Sequence, residues 1–196
     1  MEGTNPVNKK LAAALSGGAV LVLALSGCSS DDNSDKLNSW AKEVCDAVQP
    51  QARKIEAANA AIQKETSDNS TPEDVQKTDS QAFQDMSDAY KAIGAAVTKA
   101  GAPDVDNGET KQKNAVKELN TISASYASLQ KQVDELNTKD QAKFADGLKD
   151  IATALDKLST SGSDALKTLE EGDVGKAMAQ QESCKSASAS PSATTG

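Results

Sequence analysis

The stretch AVKELNTISASYASLQKQVDEL, residues 115–136, decides the fold class. Within it Val116, Leu119, Ile122, Tyr126, Leu129, Val133 and Leu136 follow one another in alternating steps of three and four. At 3.6 residues per turn such steps fall on one face, so the segment reads as a helix with an a/d seam. A seam needs partners, and the flanking sequence supplies them. Upstream, Val75, Ala82, Phe83, Met86, Tyr90, Ile93 and Val97 mark a helix that opens after Ser70 or Thr71 with Pro72, Glu73 and Asp74. It stops before a loop built on Gly101, Pro103 and Gly108. Earlier still, Leu37, Trp40, Val44, Val48, Ile55 and Ile62, with Ala41, Ala52 and Ala58 beside them, define a first helix over residues 35–65, which Pro50 either kinks or divides.

Downstream, Phe144, Leu148, Ile151, Leu155 and Leu158 outline a fourth helix. A turn at Asn137 and Thr138 separates it from the third, with Thr138 and Gln141 in capping-box spacing; one helix continuous through 109–160 is the alternative. Gly162 is a stop signal, and Leu166, Leu169, Val174 and Met178 carry a weaker pattern to Cys184, broken at Gly172 and Asp173. The expected fold is therefore all-α: an up-and-down four-helix bundle with one or two short C-terminal helices. Only five aromatics occur, Trp40, Phe83, Tyr90, Tyr126 and Phe144, which suits a core of Ala, Leu and Val better than a β-sandwich.

Ahead of the helices, residues 1–28 run as a polar start closed by Lys9 and Lys10, an apolar run over 11–25, then small residues and a cysteine. That is the layout of a secretory leader. The apolar run is short for a hydrocarbon layer of about 30 Å, and Gly17 and Gly18 weaken it as a permanent span. The tetrapeptide Leu25-Ser26-Gly27-Cys28 resembles the lipobox of bacterial lipoproteins. The resemblance implies diacylglyceryl transfer to the Cys28 thiol, cleavage between Gly27 and Cys28, and a lipid-bearing Cys28 at the new N-terminus. Two acyl chains hold a soluble domain on a membrane where one does so only marginally. An uncleaved anchor and an ordinary leader with an incidental cysteine are the alternatives. Localisation is then the outer face of the cytoplasmic membrane, with an outer membrane left open. Ser29 and Ser30 precede Asp31, where an Asp directly after the cysteine would resemble an inner-membrane retention signal. The chain divides into a leader at 1–27, a lipidated tether at 28–35, the bundle at 36–184, and a disordered Ser, Ala, Thr and Pro tail at 185–196.

Lipidation of Cys28 leaves Cys45 and Cys184, an even pair in an exported and hence oxidising setting, which reads as one disulfide. Two separate buried thiols are the alternative. A bridge would join the first helix to the last.

Charge narrows the partners. The full chain carries a formal −8; removing 1–27, which hold Lys9, Lys10 and Glu2, leaves 19 basic and 28 acidic residues, or −9. Nucleic acid prefers a positive surface. An acidic body also gains nothing from anionic lipid, so attachment falls to the anchor on Cys28.

No cofactor or metal is expected. With no histidine in the chain, di-iron, haem and zinc sites lack their usual ligands, and Met86 with Met178 is a poor haem pair. Residues 104–109, DVDNGE, resemble the opening of a calcium loop, but glycine falls at the fifth position and Ala115 at the twelfth, so a helix-linking turn is the reading. The pairs Asp85 with Asp88, Asp134 with Glu135, and Glu170 with Glu171 are read as solvated helix faces, and Arg53, the single arginine, as a surface partner of Glu56 or Glu43. The expected function is a non-catalytic, lipid-anchored helical binding or scaffold module of the cell envelope, its partner an envelope protein or wall component. A ligand sensor or carrier with a cavity inside the bundle is the alternative, and an enzyme working through carboxylates alone is the third reading.

Overall fold

The computed structural model describes residues 30–65, 70–161 and 164–188. The leader, Cys28, the Gly162 stop and the tail beyond Ser188 lie outside the described residues.

Four long helices form in order: α1 (Ser30–Glu65), α2 (Pro72–Ala100), α3 (Gly108–Asp134) and α4 (Gln141–Ser161). Three short ones follow, α5 (Asp164–Glu170), α6 (Asp173–Ala179) and α7 (Glu182–Ser188), one more than the sequence pattern distinguished. Among the described residues no strand occurs. The boundaries follow local chemistry. Thr71 caps α2 by accepting the Asp74 backbone N–H on Oγ1 at 3.2 Å, and Pro72 takes the first helical position, where a missing N–H is harmless. Thr71→Ala removes that acceptor and lowers the free energy of unfolding by about 1 kcal/mol, measurable as a shifted urea midpoint at unchanged slope. Gly101 ends the same helix at φ +78°, a conformation that strains any side chain. At the head of α3, Gly108 lies so close to Pro103 that an added Cβ would fall 2.1 Å from the proline carbonyl oxygen.

Three boundaries differ from the sequence reading. The first helix already starts at Ser30, so most of the expected tether is helical; through Pro50 it stays one helix, which excludes only the division. The cap of α4 is Asp140, whose Oδ1 accepts the Lys143 N–H at 3.2 Å; Thr138 is not used, because Asn137 closes its own turn by accepting the Lys139 N–H at 3.0 Å. Finally, α7 runs to Ser188, beyond the expected domain end at Cys184. The hairpin between α3 and α4 settles the alternatives for 109–160 in favour of two helices.

Cross-helix bonds give the topology. Trp40 donates Nε1–H to the Gly101 carbonyl at 2.8 Å and Lys99 pairs with Glu43 at 3.4 Å, so α2 runs antiparallel to α1. At the other end Gln76 Nε2 donates to the Val133 and Leu136 carbonyls at 2.9 and 3.0 Å, which sets α3 antiparallel to α2. Between these ends Ser87 and Ser123 exchange bonds, each hydroxyl donating to the other's backbone carbonyl at 2.9 and 2.8 Å. Small residues there, with Gly94 against Leu119 and Asn120, let the two backbones approach.

The core is built in two clusters. One gathers Leu37, Trp40, Ala41 and Val44 of α1, Val97 of α2, Ala115 and Leu119 of α3, then Leu169, Val174 and Ala177 from the short helices. The other joins Ala58, Ala82, Phe83, Met86, Leu129, Val133 and Ile151. The fourth corner of the bundle is thus filled in two parts, by α4 beside the C-terminal half of α3 and by α5 beside its N-terminal half. The last two helices, α6 and α7, return to α1.

Candidate functional site

Cys45 and Cys184 stand at disulfide distance, Sγ to Sγ 2.01 Å, with Cα atoms 5.0 Å apart. Cys45 lies in the buried face of α1, while Cys184 comes from α7, which reaches α1 only because α6 and the turn at Gln180 and Gln181 double the chain back. Beside the pair, Ser183 Oγ donates to Asp46 Oδ1 at 2.7 Å, and Lys42 bonds the other oxygen of Asp46. Those two bonds, that from Lys42 first, hold the Asp46 carboxyl below the usual carboxylate range. This corner ties α7 to α1.

The other sequence candidates scatter. Gly27 and Cys28 lie outside the described residues. Residues 104–107 form the turn linking α2 to α3, with Asn107 left-handed at φ 59°. Among the paired carboxylates Asp88, Asp134, Glu135, Glu170 and Glu171 are exposed and Asp85 is half-buried. Glu43 pairs with Lys99 in place of Arg53, since α2 brings its last turn over the start of α1. Among the described residues no group of three or more His, Cys, Asp or Glu side chains is arranged to hold a metal ion. Nor is any helix there long and apolar enough to cross a membrane.

Two polar groups that the sequence reading passed over occupy seam positions. Gln51 falls three residues after Val48 and four before Ile55, and its Oε1 is buried without a hydrogen-bond partner among the described residues. Asp79 falls four after Val75 and three before Ala82, in the stripe that carries Phe83 and Met86. It is 8% exposed and makes no hydrogen bond or ion pair among the described residues. Burial, and to a lesser degree the nearby charge of Glu65, push its carboxyl up to about 6. The signal was in the spacing: a single carboxylate on an apolar stripe is either strained or useful.

The sign of the resulting pH dependence is fixed. Near pH 3.5 Asp79 is largely neutral whether the chain is folded or not, and no penalty exists. As pH rises from 4 to 6 the unfolded chain ionises first, and the folded state loses up to about 3 kcal/mol, less whatever solvent at the bundle end screens. Asp79→Asn therefore unfolds at higher urea than the parent at pH 7.5 and at nearly the same urea at pH 3.5.

Glu65 also lines a surface groove of about 730 Å³ along α1 and α2. Ala57, Ala58, Ala61 and Ala82 supply small apolar surface, and Glu65, Asp74, Asp85 and Asp134 supply carboxylates against one lysine, Lys77. Elsewhere seven lysines are tied into ion pairs with neighbouring carboxylates, whereas none of these four carboxylates is in one. A second groove of about 650 Å³ on α2 and α3 is bordered by Lys113, Val116, Lys117 and Asn120. Inside the bundle Tyr90 stacks on Tyr126 at 5.6 Å, and burial first, then Tyr90, raises the Tyr126 hydroxyl to about 12, so both rings are packing elements at physiological pH. Comparison with family models, with curated proteins and with solved structures finds no match to this chain.

Proposed function

We propose that this chain is a lipid-anchored, extracytoplasmic helical binding or scaffold module of the bacterial cell envelope, attached through Cys28 and without catalysis of its own. The lipobox-like Leu25-Ser26-Gly27-Cys28 carries the reading, because it comes directly before a helical domain. Two features support it. A cysteine pair at bonding distance fits an oxidising compartment, and open grooves of about 730 and 650 Å³ on the described surface suit a binding module. With α1 starting at Ser30, two residues after Cys28, a lipid on that cysteine would hold the bundle close to the membrane. Cell fractionation tests the anchor. The parent chain is expected in the membrane fraction and Cys28→Ala in the lipid-free pool; a parent that washes free at neutral pH and moderate salt contradicts it.

A further inference from the structure

We infer that α6 and α7 form a redox-operated strap, which thiol–disulfide exchange at Cys184 releases from α1 while α1 to α4 stay assembled. The strap lies along one stretch of α1. At one end the bridge joins Cys45 to Cys184, Ser183 bonds Asp46, and Cys45 Sγ is 4.0 Å from the Met178 carbonyl oxygen. At the other end a cleft of about 300 Å³ is lined by Asn33, Ser34 and Asn38 of α1 and by Asp173, Lys176 and Gln180 of the strap, so this edge is not close-packed. Between the two ends Trp40, Ala41 and Val44 share a buried cluster with Val174 and Ala177 of α6. Neither strap helix, at seven residues, is long enough to persist in water by itself.

The seat survives without the strap because its own bonds lie elsewhere. Trp40 to Gly101, Glu43 to Lys99, Gln112 Nε2 to the Val97 carbonyl at 3.0 Å, and the reciprocal bonds of Ser87 and Ser123 tie α1, α2 and α3 to one another through no residue of α6 or α7. Gly172, between α5 and α6, is the hinge: it is exposed, its φ is +69°, and nothing lies within 4 Å of where a Cβ would stand. The bridge is open to attack at one sulfur. Cys45 is 0% exposed and Cys184 is half-buried, so the thiolate of a dithiol reaches Cys184 Sγ. The S–S bond breaks, and Cys45 leaves as a thiolate and takes up a proton. The second thiol of the dithiol then attacks the sulfur bonded to Cys184, and Cys184 leaves and takes up the second proton. The dithiol ends as a disulfide and both cysteines end as thiols. In an oxidising compartment the strap rests closed, and a dithiol carrier supplied there opens it.

The test uses the full chain in a non-ionic detergent without denaturant, and dithiothreitol as the dithiol. Trp40 is the single tryptophan of the chain and is 7% exposed, so its quenching by acrylamide reads the strap, while circular dichroism reads the bundle. Reduction raises the quenching of Trp40 about twofold or more, keeps the dichroism of the four long helices, and is undone by reoxidation. Cys184→Ser shows the raised quenching without reductant. Glutathione in place of dithiothreitol leaves its adduct on Cys184, read by peptide mass. Unchanged quenching after complete reduction, an adduct on Cys45, or reduction that proceeds only as the helical dichroism is lost overturns the proposal. So does a dimer linked through Cys45 and Cys184 on reoxidation, because the strap then closes on a second copy. None of these outcomes depends on Cys28, so failure here leaves the anchor to be judged by fractionation alone.

Discussion

Reduction of the Cys45 to Cys184 bridge is expected to lower the free energy of unfolding by about 4–5 kcal/mol. The bridge closes a loop of 139 residues, and loop-closure entropy grows with the logarithm of that length. Local structure sharpens the expectation. Both α6 and α7 have seven residues, well below the length at which an isolated helix persists in water, so they hold their shape only by docking on α1. Cutting the link frees the end of the chain and uncovers Val174 and Ala177, which are buried against the α1 cluster. Urea unfolding with and without a phosphine reductant measures the loss, and amide exchange should show α6 and α7 deprotecting before the long helices. An unchanged urea midpoint after complete reduction would mean that the C-terminal helices dock without the staple.

Phe83→Ala is expected to cost about 3–5 kcal/mol. Phe83 is 2% exposed, belongs to the cluster with Met86, Leu129, Val133 and Ile151, and has its ring centre 6.1 Å from that of Tyr126. Its removal opens a cavity where α1, α2, α3 and α4 all contribute, so no single helix can shift to fill it. Truncation of the half-buried Leu158, near the end of α4, should cost clearly less, and the comparison of the two midpoints checks that the core is centred where Phe83 lies.

The fold was legible because apolar spacing alone determines which helix faces must meet. The seam from Val116 to Leu136 and the stripe from Ala82 to Val97 needed no other information, and Thr71 with Pro72 announced the start of α2. Boundaries set by competition between neighbouring polar residues were less legible. Thr138 and Asp140 both suit a cap, and the choice went to Asp140 because Asn137 had already closed the turn. The split of the C-terminal segment into three helices depends on Gly172 and on the turn at Gln181, which acquire their meaning only when α7 folds back on α1.

The acidic groove was hardly legible at all. Glu65, Asp74, Asp85 and Asp134 are far apart in sequence and look like ordinary solvated positions; α1, α2 and the end of α3 bring them to one groove. Asp79 could have been noticed on spacing, since it breaks an apolar stripe. That it makes no hydrogen bond or ion pair among the described residues is a fact of the packed structure.

The most direct test of the anchored-module reading is the intact mass of the native protein from the membrane fraction, before and after reduction and alkylation. The expected mass begins at Cys28 with a diacylglyceryl group added, and two alkylations appear only after reduction. A mass retaining residues 1–27, or a lipid-free product, would contradict the anchor and leave the helical bundle without its proposed address.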